Sequence, residues 1–116
     1  MNIKNQVEQM DAMVLQGAIV DAVKNFFADE AQTSDFSEVR TNDKQQMIEK
    51  MEAFTGSIAQ VNGIQLHRQI VNGLHSNSEF TFDFTMKDGS KILWHEIISR
   101  QWNDAGKVIR EEYFKA

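Results

Sequence analysis

Glu79, Asp83, Glu96, Arg100 and Glu111 alternate with apolar residues along the second half of the chain, in runs such as SEFTFDFTM and ILWHEIISRQW. Residues two apart on a strand face the same way, so strands carrying them can gather several carboxylates and one guanidinium on a single surface. Carboxylates enclosed together repel one another, and burial disfavours their ionised forms. Both effects raise their pKa values toward neutrality, where a carboxyl group serves general acid/base chemistry. Arg100 would pair with one carboxylate and orient it through two parallel hydrogen bonds. Trp94 shares the alternation and suits an apolar ligand wall. The alternative is a solvated strand face, with the acids in water and Arg100 in a surface ion pair of little energetic weight.

The elements that must position these groups can be read from periodicity. Val7, Met10 and Val14, then Ile19, Val23, Phe26 and Phe27, recur at three- and four-residue spacing, which predicts two helices, or one helix bent at Gly17, ending near Ala28. ADEAQTSDF shows little periodicity and reads as a short strand or a loop. A third helix begins near Asp43, capped by Asn42 or Asp43, with Met47, Met51, Phe54 and Ile58 on one stripe; VNG at 61–63 ends it. Four strands follow at 64–71, 74–86, 90–102 and 107–114, separated by NG, DG and NDAG, the residues that tight hairpin turns require. Helices followed by an antiparallel meander make an α+β fold on one domain spanning 1–116.

Counting through two-residue turns sets Asp83 opposite Trp94, Thr81 opposite Glu96 and Glu79 opposite Ile98. One face then carries Leu66, Glu79, Thr81, Asp83, Trp94, Glu96, Ile98, Arg100, Ile109, Glu111 and Tyr113. Phe80, Phe82, Phe84, Leu93, His95, Ile97 and Phe114 take the other. A three-residue loop with a glycine bulge at KDG would shift this pairing by one and regroup the two strands.

Bulk properties exclude several classes. The net charge of −5, with scattered basic residues, argues against a nucleic-acid partner. The absence of cysteine removes disulfides, zinc-thiolate sites and thiol nucleophiles. No apolar run suits a signal peptide or a membrane span, so a soluble cytoplasmic protein with no membrane partner is expected. His67, His75 and His95 lie on separate strands without ligand-like spacing, and no metal site is expected. GKVIREE has one glycine and no following helix, so it is not a phosphate loop.

NFFADEAQTSDF followed by a capped helix, and later ISRQWNDAGKVIREEYF, resemble the superfamily of ketosteroid isomerases, nuclear transport factor two and SnoaL-like polyketide cyclases. The resemblance covers nearly the whole chain. It implies a cone-shaped, cystatin-like roll, in which N-terminal helices pack on a strongly curved antiparallel sheet and close a pocket. The general-base aspartate of ketosteroid isomerases matches Asp35, although SDF also makes a turn. Their helix-borne tyrosine falls near Met10 and their second aspartate on Ile98, so a steroid isomerase is not expected. Ile98 also departs from the acid of SnoaL-like cyclases. The pocket-lining positions match Glu79, Thr81, Asp83, Trp94, Glu96, Ile98 and Glu111, the grouping that two-residue turns give, and that register is the expectation. A carboxylate–arginine–carboxylate set resembles the water-activating arrangement of limonene epoxide hydrolases in the same superfamily.

The resulting expectation is a small-molecule-binding protein for a polar-headed apolar ligand, with cofactor-free proton transfer, hydration or cyclisation as its chemistry if it is an enzyme. Asp35, Glu79, Glu96 and Arg100 are the candidate catalytic residues. Met10, Asp83, Trp94, Ile98, Glu111 and Tyr113 are the candidate ligand-binding residues. With the phenylalanines outward, a homodimer through the sheet is expected, and the competing reading is a non-catalytic binding or dimerisation module using that face.

Overall fold

In the computed structural model, which describes residues 2–116, the Asn2 side chain opens the first helix by accepting from the Asn5 amide at 3.2 Å. This helix, α1 (Ile3–Leu15), ends at Gly17, which takes φ 78°. The Gly17 amide donates to the Val14 carbonyl at 2.9 Å and the Ala18 amide to Met13 at 3.0 Å. These are the paired bonds of a Schellman end, for which glycine is favoured because a Cβ at positive φ strains against its own backbone. Helix α2 (Ile19–Phe26) runs directly into β1 (Phe27–Asp35), and a two-residue turn leads to β2 (Glu38–Thr41). Helix α3 (Lys44–Gly56) is capped by Asp43, whose side chain accepts from the Gln46 amide at 2.8 Å. No helix among the described residues is long and apolar enough to cross a membrane.

The strands β3 (Ile58–Asn72), β4 (His75–Met86), β5 (Lys91–Trp102) and β6 (Val108–Lys115) complete a six-stranded sheet ordered β2-β1-β6-β5-β4-β3. The architecture is α+β, with the helices over one face of the sheet. Two expectations about the sheet need correction. β1 pairs with β6 in parallel, so the sheet is mixed rather than purely antiparallel. Helix α3 stops at Gly56, not at 61–63, and Ile58 belongs to β3. Asn62 and Gly63 lie at one of three register shifts in that long strand. Each bulge bends and twists the strand, which gives the sheet its curl.

The larger correction concerns parity between β4 and β5. The turn at Lys87–Gly89 has three residues, not two: the Met86 amide donates to the Ser90 carbonyl at 2.8 Å, and Gly89 sits at φ 88°. Asp88 spends its carboxylate on the same loop, accepting from the Ser90 amide at 2.9 Å. The register therefore moves by one: Phe82 faces Trp94, Phe84 faces Ile92 and Phe80 faces Glu96. The phenylalanine stripe lies under the helices with Val7, Met10 and Phe26, while Glu79, Thr81 and Asp83 turn to the outer face. The NG hairpin also differs, since Asn72 pairs with His75 around Gly73 and Leu74, and Leu66 meets Phe80 rather than Glu79. Between β5 and β6 the shift is two residues, through a bulge at Gln101/Trp102, which keeps Arg100, Ile98, Glu96, Glu111 and Tyr113 on one face.

With its phenylalanines buried, the sheet cannot present them to a second copy, and the dimerisation reading loses its surface. The outer face instead carries His67, Arg68, Glu79 and His95.

Candidate functional site

Between the helices and the concave face of the sheet lies a cavity of about 540 Å³. Strand β5 supplies its long wall. Trp94, Glu96, Ile98 and Arg100 follow one another at every second residue, each about 7 Å deeper than the last. The wall thus reads aromatic ring, carboxyl, aliphatic, guanidinium from mouth to floor. Met10, Val14 and Val23 close the floor from α1 and α2, and Met47, Met51 and Phe54 form the facing wall from α3. The Phe54 and Trp94 rings stack at 5.6 Å with 14° between their planes, and Phe84 meets Phe54 edge-on at 5.8 Å.

Under the floor runs a chain of buried polar groups. Arg100, 1% exposed, donates from Nη1 to Asp11 Oδ1 at 2.7 Å and from Nε to Glu111 Oε2 at 2.8 Å. Asp11 Oδ2 also accepts from Gln69 Nε2 at 2.8 Å and from Ser78 Oγ at 2.5 Å. The Tyr113 hydroxyl donates to Glu111 Oε1. Burial alone would push the guanidinium pKa down, but the Asp11 and Glu111 carboxylates outweigh it and hold Arg100 above its ordinary range. Burial, and then the Glu111 charge beside it, push the Tyr113 phenol up. A buried guanidinium bonded to two carboxylates is tolerated because each charge finds partners.

Glu96 differs from all of these. It is half-buried, and neither a hydrogen bond nor an opposite charge offsets its burial. Burial first, then the Glu111 and Asp35 carboxylates, raise its pKa from 4.5 to about 7. Lys115 stands across from it on β6 but is exposed and makes no ion pair with it. Asp35 lines the cavity from the end of β1, where Arg40 pairs with it at 3.4 Å.

No family model and no curated protein matches the chain. Solved structures do. A candidate SnoaL-like polyketide cyclase from Mesorhizobium loti superposes with TM-score 0.84 at 21% identity, over 98% of this chain and 99% of its own. An NTF2-like protein from Burkholderia pseudomallei gives 0.80 at 11% identity, over 100% and 92%. A cystatin-fold protein from Novosphingobium aromaticivorans gives 0.84 at 15%, over 99% of both chains. This chain has the SnoaL-like, NTF2-like fold.

Within that SnoaL-like fold, eight of the expected site residues line the cavity: Met10, Asp35, Trp94, Glu96, Ile98, Arg100, Glu111 and Tyr113. Glu79 and Asp83 do not. Glu79 sits on the outer face with Arg68 Nε at 2.7 Å and His95 Nε2 at 2.6 Å, and its pKa is lowered, chiefly by the His95 hydrogen bond. Asp83 accepts from Asn62 Nδ2 at 3.2 Å on the same surface. Glu79→Gln and Asp83→Asn should therefore change the affinity of a cavity ligand by no more than about twofold, measured by titration calorimetry. A loss of tenfold or more for either would mean that the outer face communicates with the pocket.

Sequence reasoning missed Asp11, although a signal was present. Val7, Met10, Asp11 and Val14 occupy one helical stripe, so an aspartate stands where an apolar residue belongs. A charge at a core position needs a buried partner, and Arg100 is that partner.

Proposed function

We propose that this protein binds an apolar small molecule in the cavity, with the ligand's polar head at Glu96, and that Glu96 moves a proton on it. The observation that carries this reading is a carboxyl without an ion pair, set between Trp94 and Ile98 along the cavity wall, with a pKa raised to about 7. Such a group gives and takes protons near neutral pH, where acid/base efficiency is greatest. Asp35, Arg40's partner at the cavity edge, is the second carboxylate available as a base. Arg100 lies at the cavity floor with its Nε and Nη1 donors already bonded to Glu111 and Asp11, so it orients rather than reacts. Trp94, Met10 and Ile98 supply apolar contact. Proton transfer, hydration and cyclisation all need only these groups. The Mesorhizobium loti neighbour, described as a candidate polyketide cyclase, lends the cyclisation reading some weight.

The groups facing Glu96 are Asp35 from β1, Glu111, Tyr113 and Lys115 from β6, and Lys50 from α3. Its carboxyl resonance in an NMR titration should move with an apparent pKa near 7. A midpoint near 4.5 would remove the acid/base role. Stability gives an independent reading of the same shift. Between pH 4.5 and about 7 the folded protein holds a proton that the unfolded chain has released, so Glu96 lowers stability as pH rises through that window. Glu96→Gln should match the parent near pH 4. Near pH 8 it should be more stable by on the order of 2 kcal/mol, allowing for partial solvation. Chemical denaturation at the two pH values checks this, and equal stability at both would contradict it. The same variant should have lost any proton-transfer activity.

A further inference from the structure

The turn between β1 and β2 joins two unusual features at the cavity mouth. Asp35 pairs with Glu38, so Phe36 and Ser37 are the two central residues of a tight hairpin. Both take positive φ, 49° and 68°, the backbone of a type I′ turn, which favours Asn-Gly and is strained for a bulky side chain. Phe36 is also 68% exposed, yet it belongs to the cavity lining beside Asp35. A chain that keeps a phenylalanine where glycine or asparagine would sit without strain, and leaves it uncovered, gains nothing in folding from that choice.

We infer that Phe36 is a flap over the cavity mouth that folds down onto the apolar body of a bound ligand and slows its escape. The inference rests on the reading of the cavity as a ligand site. The surrounding structure permits the motion. β2 is a four-residue edge strand with exposed Glu38, Val39 and Arg40, and its pairing with β1 skips Arg40 where the register shifts at Thr33/Ser34. The Phe36 amide reaches the Tyr113 carbonyl at only 3.4 Å. The hairpin base is firmer, because the Thr33 and Thr41 hydroxyls hydrogen-bond at 2.6 Å and Arg40 bridges Asp35 and Glu38. The tip can therefore swing about a fixed base. A ligand reaching the mouth would cover the Phe36 ring, and closure would show in the dissociation rate, since affinity differences within one site lie mostly there.

The test uses the full chain and the neutral fluorescent dye N-phenylnaphthylamine in stopped-flow mixing. Phe36→Ala should dissociate about tenfold faster than the parent with little change in association, the effect of losing one covered aromatic ring. Phe36→Leu should keep most of the slow dissociation. The double substitution Phe36→Asn with Ser37→Gly relaxes the turn and should raise the melting temperature by roughly 5 °C. It should nonetheless release dye as fast as Phe36→Ala, and a purely structural role for Phe36 cannot produce that opposition. If Phe36→Ala leaves dissociation unchanged while Trp94→Ala weakens dye binding, the flap is overturned and the cavity reading stands. If the parent binds no dye, the cavity reading fails and the flap falls with it.

Discussion

Replacing Arg100 by methionine should cost about 3–5 kcal/mol of folding stability, roughly 10–20 °C in melting temperature. The loss comes less from the missing bonds than from what they leave behind. Asp11 and Glu111, at 0% and 4% exposure, would face each other across an apolar side chain with no cation between them. Each would have to take up a proton or draw in water. Gln69 and Ser78 still serve Asp11, and Tyr113 still serves Glu111, but neutral donors compensate a buried charge incompletely. Arg100→Lys separates charge from geometry. A lysine restores the cation, yet one ammonium cannot reproduce the guanidinium's two divergent bonds, so an intermediate loss is expected. Denaturant melts of the three proteins at neutral pH decide the matter. A cost below about 1 kcal/mol for Arg100→Met would place this cluster among weak surface pairs and contradict its burial.

This cluster also explains how the site is built. Arg100 spends two of its donors on α1 and β6, so the helix that closes the cavity and the strand that carries Glu111 and Tyr113 are fixed to β5 together. Glu96, two steps nearer the mouth than Ile98's neighbour Arg100, receives none of that stabilisation. One strand therefore carries an arginine held in one position and a carboxyl left free to titrate.

Most of the framework was legible because it is periodic. The helical stripe of α1, the Asp43 cap and the four long strands all follow local rules. β1 escaped because its burial does not alternate: its pairing with β6 slips between Phe27 and Gln32, and Thr33 and Ser34 are buried in succession, which erases the two-residue period. β6 kept its parity despite a wrong count, because a slip of two returns every side chain to its own face. β4 had no such protection. Asp88-Gly89 can form the centre of a two-residue turn or the end of a three-residue loop, and nothing local distinguishes them. What decides is remote. The phenylalanine stripe must go beneath helices that present Val7, Met10 and Phe26, and burying three aromatic rings outweighs the preference of one turn. The resemblance to known pockets pointed the other way at Glu79 and Asp83, and the plain hydrophobic pattern was the better guide there.

That competition can be measured along β4. Phe80 is fully buried, lies face to face with Phe82 at 5.2 Å, and is not part of the cavity lining. Its truncation to alanine opens a void in packed core and should cost about 3–5 kcal/mol. Thr81, the next residue, points outward to His67 Nε2 at 2.7 Å, and Thr81→Ala should cost less than about 1 kcal/mol. Phe82→Ala should fall below Phe80→Ala, because Phe82 borders a cavity that already exists and its removal enlarges space rather than creating it. The stability costs of Phe80→Ala, Thr81→Ala, Phe82→Ala and Asp83→Ala, read from denaturation midpoints, should thus alternate high, low, high, low. Under the two-residue turn at Asp88-Gly89 the large costs would fall on Thr81 and Asp83 instead. That inversion would return Glu79 and Asp83 to the concave face, remove Phe82 from beside Trp94, and add further carboxylates to the Glu111 and Asp35 already near Glu96.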